Sequence, residues 1–358
     1  MGESTPVQCP GVDLDSFYAM DNSPDDAAEQ AALVQANRNL GTACLKGSGR
    51  LLQHVSTVEV ARDLDLLRGL VGDEKTNLYG ASYGTSIGSM YAQLYPHHVG
   101  RMVLDGAVNI TDRTSVSQAQ GFERALDGFA QWCADQKCKL GTSKAQVLRT
   151  IADFWSDLDA QPLTVGSRQL TQQLAVGGVV DVLYAPASAY KYLRAALEDG
   201  IVSHQGAYLL FLADQLNERS TKGQYGQINY AFPAVRCLDT KDRGIQGETA
   251  LATAENKNAP TIGPFFGPDL SCALWPVAAD SEPKPVAAGA PPIVVVGTTN
   301  DPATPYEYAQ WMAKQLKSGV LVTLKGYGHT GYGQSECVQG VVDKFLLHGT
   351  VPAKGTTC

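Results

Sequence analysis

The chain has 358 residues, 44% hydrophobic and 18% charged, enough to bury a sizeable apolar core as one large α/β domain or as a core carrying an insertion. A formal net charge of −8 and a pI near 5.3, with no local cluster of lysine and arginine, argue against nucleic acid or anionic lipid as a partner. No run of about eighteen apolar residues occurs, which excludes a membrane-spanning helix.

The chain opens Met1-Gly-Glu-Ser-Thr-Pro, which has neither the charged nor the apolar segment of a secretory leader. The cysteines speak for export nonetheless. They stand at 9, 44, 133, 138, 237, 272, 337 and 358, an even number without C-x-x-C spacing or accompanying histidines. Scattered in this way they read as disulfides formed in an oxidising compartment, not as a zinc site. The expectation is therefore a leader already removed, or a chain that begins late. Spacing alone leaves connectivity open. Pairing of sequence neighbours is adopted here: Cys9–Cys44, Cys133–Cys138, Cys237–Cys272 and Cys337–Cys358.

Ser56 to Glu59 forms a capping box, and Val60, Leu64 and Leu67 follow at helical spacing until Gly72-Asp73. A short strand, Thr76 to Tyr79, leads into Gly80-Ala-Ser82-Tyr-Gly84. Ile87, Met90, Tyr91 and Leu94 then fall on one face of a helix that stops before Pro96. Strand, glycine turn, serine and helix are the context in which G-x-S-x-G presents a nucleophile. Arg101 to Asp105 reads as a second buried strand, and the alternation implies a parallel sheet.

Helical patterns dominate 111–275, in Phe122, Ala125, Leu126, Phe129 and Cys133 and in later stretches near 143–160, 178–199 and 205–219, and no strand alternates with them. The sheet resumes with Ile293-Val-Val-Val-Gly297, a helix from Pro305 to Lys317, a strand at Val320–Leu324 and a last helix carrying Val338, Val341, Val342, Phe345 and Leu346. The predicted organisation is thus 1–110, a first core segment with the serine corner; 111–275, a mainly helical insertion over the sheet; 276–292, a connector rich in proline and alanine; and 293–358, a second core segment.

A serine hydroxyl needs a base, and the base needs an acid to hold its tautomer. Among six histidines, only His329 lies just past the C-terminal end of a predicted core strand, the edge where ligands gather in open parallel sheets. Asp301 sits at the same edge, one strand earlier, and Asp105 is the rival acid. The order Ser82, Asp301, His329 is that of α/β-hydrolases.

The segments at 54–65 (His-Val-Ser-Thr-Val-Glu-Val-Ala-Arg-Asp-Leu-Asp), 79–85 (Tyr-Gly-Ala-Ser-Tyr-Gly-Thr), 99–106 (Val-Gly-Arg-Met-Val-Leu-Asp-Gly), 297–305 (Gly-Thr-Thr-Asn-Asp-Pro-Ala-Thr-Pro) and 328–330 (Gly-His-Thr) resemble the secreted tripeptidyl aminopeptidases of actinobacteria. These are α/β-hydrolase serine exopeptidases related to prolyl aminopeptidases. The resemblance implies the α/β-hydrolase fold and release of short peptides, tripeptides in particular, from substrates with free N-termini, outside the cytoplasm or at the cell wall. It implies no metal or organic cofactor. It assigns Ser82, Asp301 and His329 as the catalytic triad, with the backbone N–H of Tyr83 as one oxyanion donor. Asp239 is the candidate for the substrate's ammonium, with Cys237 pinning it toward the sheet. Thr304 is a second candidate substrate contact.

The front of the chain departs from that family. A Gly-Gly-Pro-Gly loop and an Asp-Pro-Arg-Gly stretch are expected ahead of the serine, and Gly2 to Cys9 resembles only the tail of the latter. About four strands, on the order of a hundred residues, would be missing. The strand before Ser82 would then lose neighbours on one side. Without the loop's oxyanion donor, activity would fall by ~10²–10³. The alternatives are an esterase or lipase with the same triad, or a truncated relative that binds or regulates without catalysis.

Overall fold

The computed structural model describes residues 4–111, 113–279 and 283–358. Gly2 and Glu3 of the N-terminal stretch, and 280–282 of the connector, lie outside these. In chain order the elements are α1 (Leu14–Ala19), α2 (Ala27–Ser48), α3 (Thr57–Leu70), β1 (Thr76–Ala81), α4 (Gly84–Leu94), β2 (Val99–Asp105), α5 (Gln118–Asp135) and α6 (Lys144–Ala160). They continue with β3 (Leu163–Val165), β4 (Arg168–Leu170), α7 (Gln172–Leu183), α8 (Tyr190–Ser203), α9 (Ala207–Leu216), α10 (Ile228–Asp239), α11 (Gly244–Asn256) and α12 (Leu270–Ala273). Last come β5 (Ile293–Asn300), α13 (Tyr306–Gln315), β6 (Gly319–Tyr327) and α14 (Glu336–His348). The chain divides into two units: Met1–Val55 with Phe122–Asp280, and Ser56–Gly121 with Ser281–Cys358.

The second unit holds a parallel sheet in the order β1-β2-β5-β6. Its central strands are apolar without alternation because both faces are covered. On one face Met102, Leu104, Ile293 and Val295 pack with Ala61, Met90, Tyr91 and Met312 from α3, α4 and α13. On the other, Val103, Val294, Val296 and Val322 pack with Val338, Val342 and Phe345 of α14. The C-terminal tail lies along β6, with the Cys358 N–H donating to the Thr323 carbonyl at 2.7 Å, and the Cys337–Cys358 disulfide ties it to α14.

Of the expected α3 stripe, Leu64 packs against the core and Val60 is half-buried, but Leu67 is exposed, as are Leu66, Leu70 and Val71; the fully buried residues of the helix are Thr57 and Ala61. Among the described residues β1 is the outer strand of the sheet, paired with β2 alone. The Ser56 cap is present, its hydroxyl accepting from the Glu59 N–H.

The first unit is built mainly of helices. Residues 1–55, read from sequence as part of the core, group with it instead. The reason is α2, a 22-residue helix without counterpart in the sequence reading, capped by Asp26. Its Leu40 and Cys44 join Val7, Cys9, Leu52, Ala234, Cys237, Cys272 and Trp275 in one buried cluster. Two disulfides, Cys9–Cys44 and Cys237–Cys272, lie in that cluster, and Cys133–Cys138 closes the end of α5, so the four bridges pair sequence neighbours as expected. Two readings of the insertion are corrected. A two-stranded antiparallel hairpin, β3–β4, interrupts the helices around Gly166-Ser167. The run 178–199 is two helices, α7 and α8, because Pro186 cannot continue the first. Among the described residues no helix is long and apolar enough to cross a membrane.

Candidate active site

Ser82 occupies the corner between β1 and α4 with a backbone φ of 54°, a left-handed conformation that costs a non-glycine residue about 1–3 kcal/mol. Local bonds offset that cost. The Ser82 N–H donates to the Asp105 carbonyl at 2.9 Å, and the Ser82 carbonyl accepts from the Thr85 N–H at 2.9 Å and the Thr85 hydroxyl at 2.6 Å. Thr85 is buried and its oxygen also accepts from the Val108 N–H at 3.0 Å, stitching the elbow to the loop after β2.

The two glycines of the motif are not equivalent. A Cβ on Gly80 would stand 2.4 Å from the Gly84 carbonyl oxygen, a backbone atom that cannot yield without opening the elbow, whereas a Cβ on Gly84 meets nothing within 4 Å. Gly80→Ala is therefore expected to destabilise the protein by about 2–4 kcal/mol, and Gly84→Ala to be neutral or stabilising by up to ~1 kcal/mol, as read by thermal unfolding.

The C-terminal ends of the strands are level, with Ala81 in register with Asp105 and Asp105 with Val296. Asp301 and His329 leave the same edge, after β5 and β6. Asp301 is 2% exposed, and the His329 side chain 11%. His329 Nδ1 lies 3.0 Å from both carboxylate oxygens of Asp301. A carboxylate only accepts, so Nδ1 carries the proton and Nε2 is the nitrogen left with a lone pair. Asp301 takes further bonds from the N–H groups of Ala303 (3.0 Å), Thr304 (2.8 Å) and Thr330 (3.2 Å) and from the Thr304 hydroxyl (2.9 Å). Buried Thr304 thus contacts the Asp301 carboxyl, and its oxygen lies 3.2 Å from His329 Nδ1.

The side chain of Asp105, the rival acid, is fully buried and accepts from the Tyr79 hydroxyl (2.9 Å), the Gly331 N–H (2.9 Å) and the Tyr332 N–H (2.8 Å). Burial pushes its carboxyl above the usual range, although bonds from Tyr332, Tyr79 and Gly331 oppose the shift; the nearby Asp301 charge adds to it. The residue after it, Gly106, has φ 66° and lies beneath the imidazole: a Cβ there would come within 3.0 Å of His329 Cε1.

The sheet-bearing unit thus contains Ser82, Tyr83, Asp301, Thr304 and His329. Tyr83 stands at the N-terminus of α4, where backbone N–H groups favour negative charge. Asp239 is the last residue of α10 in the helical unit, and Cys237 beside it is bridged to Cys272 of that same unit. Sequence reasoning named Thr304 only as a substrate contact and Asp105 only as a rival acid, and missed Thr85; the Thr85 and Thr304 bonds are local, three residues apart, whereas the Asp105 side chain bonds Gly331 and Tyr332 far along the chain, where no local pattern points.

A family model described as TAP-like protein matches residues 259–358. Serine protease Hip1 of Mycobacterium tuberculosis is 36% identical over 88% of this chain, which spans 64% of that protein's length. Tripeptidyl aminopeptidase of Streptomyces lividans is 29% identical, and the match covers 100% of this chain and 68% of that protein. Carboxylesterase B of Mycobacterium tuberculosis is 34% identical, over 100% of this chain and 71% of its own. On this similarity, and with the family model matching the segment that carries Asp301 and His329, the chain belongs to the TAP-like family of α/β-hydrolases.

Proposed function

We propose that the chain is a serine exopeptidase that releases tripeptides from peptides with free N-termini through an acyl-enzyme. The observation that carries this reading is the His329–Asp301 pair, Nδ1 at 3.0 Å from both carboxylate oxygens, on the strand edge that also bears the strained Ser82 corner. In this mechanism Nε2 of His329 accepts the Ser82 hydroxyl proton as Oγ attacks the scissile carbonyl. Asp301 stabilises the imidazolium, which then protonates the leaving amine. The Tyr83 N–H meets the developing oxyanion. Water, activated by the same histidine, hydrolyses the acyl-enzyme and restores Ser82.

Peptide substrates are supported by the names of two relatives, serine protease and tripeptidyl aminopeptidase. Four disulfides support action outside the cytoplasm, secreted or at the cell wall. Asp239 is proposed as the ammonium partner. An esterase is the second reading, favoured by the 34% identity to Carboxylesterase B. The deciding assay compares a tripeptidyl aminomethylcoumarin, free and N-acetylated, with p-nitrophenyl butyrate. Turnover confined to the free-amine peptide is the expected result, and equal turnover of the blocked peptide or turnover of the ester alone overturns it.

Thr304 offers a check on the acid's environment. Thr304→Val keeps the shape but removes the hydroxyl bonded to Asp301, and kcat is expected to fall about 10-fold with KM nearly unchanged.

A further inference from the structure

We propose that Asp105 is a positioning residue that sets the His329 imidazole through the turn following it. The catalytic consequence rests on the serine-hydrolase reading above; the geometric claim does not.

Asp105 touches both halves of the site from one position at the end of β2. Its main-chain carbonyl accepts the Ser82 N–H at 2.9 Å. Its side chain accepts from Gly331, whose N–H is 2.9 and 3.0 Å from the two oxygens, and from Tyr332 at 2.8 Å. Between His329 and that anchored pair stands Thr330 with φ 71°, a conformation that a β-branched residue adopts only when its surroundings impose it. The imposition is visible. Thr330 donates its N–H to Asp301 Oδ2 at 3.2 Å, and its carbonyl accepts from the Thr298 hydroxyl at 3.0 Å. The next two N–H groups go to Asp105. Three consecutive backbone donors therefore point at two buried carboxylates, one bonded to the imidazole and one to the turn behind it. Gln334 closes the arrangement by donating to the His329 carbonyl at 2.7 Å.

A carboxylate is required because it presents only acceptors to the three converging donors. Asparagine at the same place turns an N–H₂ toward at least one of Tyr79, Gly331 and Tyr332, and the strained turn loses part of what holds it. Released, Thr330 relaxes toward negative φ and carries the His329 ring away from Asp301.

The test uses the full chain with two readouts. One is the first-order rate constant for phosphonylation of Ser82 by excess peptidyl diphenyl phosphonate, which, unlike the labelled amplitude, does not fall merely because part of a sample is unfolded. The other is the downfield proton resonance of His329 Nδ1–H, which reports its bond to Asp301 directly. Asp105→Asn is expected to slow labelling about 10–100-fold and to shift or broaden the Nδ1–H line away. Should that variant not fold, Tyr79→Phe removes one donor from Asp105 while leaving the backbone intact, and a slower labelling of about 5-fold with a displaced line is expected. Wild-type labelling and an unmoved line, in Asp105→Asn or in its stead Tyr79→Phe, overturn the proposal. A wild-type protein that is never labelled at Ser82, yet shows an Nδ1–H line displaced by Asp105→Asn, sinks the hydrolase reading and upholds the positioning.

Discussion

Ser82→Ala is expected to reduce turnover of the free-amine tripeptide substrate by at least ~10⁴-fold while leaving the fold intact. Ser82 is the nucleophile of the proposed mechanism, and removing a nucleophile strands its partners, so that what survives comes from oxyanion contacts and substrate binding. The stability side is favourable to a clean result. The elbow is held by the Ser82 N–H, its carbonyl and Thr85, all of which alanine preserves. Thermal unfolding should therefore move little, although alanine tolerates φ 54° no better than serine. Measured kcat/KM on the unblocked substrate, with circular dichroism of both proteins, decides the matter. Retained turnover would mean that another residue attacks, and the mechanism proposed here would fall.

Asp301→Asn is expected to lower kcat by about 10⁴-fold, because an amide can face Nδ1 with its N–H₂ and force the imidazole into the wrong tautomer. The bonding around Asp301 gives no comfortable alternative. One oxygen accepts from the N–H groups of Ala303 and Thr304, the other from the Thr304 hydroxyl and the Thr330 N–H. Whichever side the N–H₂ takes, it opposes donors, so a loss of about 1–3 kcal/mol in stability should accompany the loss of rate. The two effects are separable by assaying well below the unfolding midpoint. If Asp301→Asn kept substantial activity, Asp105 would be the group to test as the acid in its place.

These effects differ in size from those of the bracing residues for a physical reason. In the proposed mechanism Ser82 and Asp301 act on the reacting atoms or on the base itself. Thr304 and Asp105 would act there by restricting where that base can be, and a partly restrained imidazole still spends part of its time in the productive position. The proposed oxyanion contribution of Tyr83 is a backbone group, untouched by any side-chain substitution.

What the sequence by itself determined is what is written within a few residues. The Ser56 cap, the strand, turn and helix around Ser82, and the unbroken Ile293–Val296 run each carry their own signal, because propensity, capping and burial periodicity are local. So are the loops that deliver Asp301 and His329, since each follows a recognisable strand. Tertiary structure decided the rest. Ala61 is buried while Leu67 is exposed because neighbours in space, not spacing along α3, choose the covered face. Cys9 and Cys44 meet because α2 and the first residues share a cluster with Cys237 and Cys272. Asp105 and Tyr332, 227 positions apart, are joined because parallel strands bring their C-terminal ends level, and no pattern in a linear sequence records which distant N–H groups a buried carboxylate will satisfy.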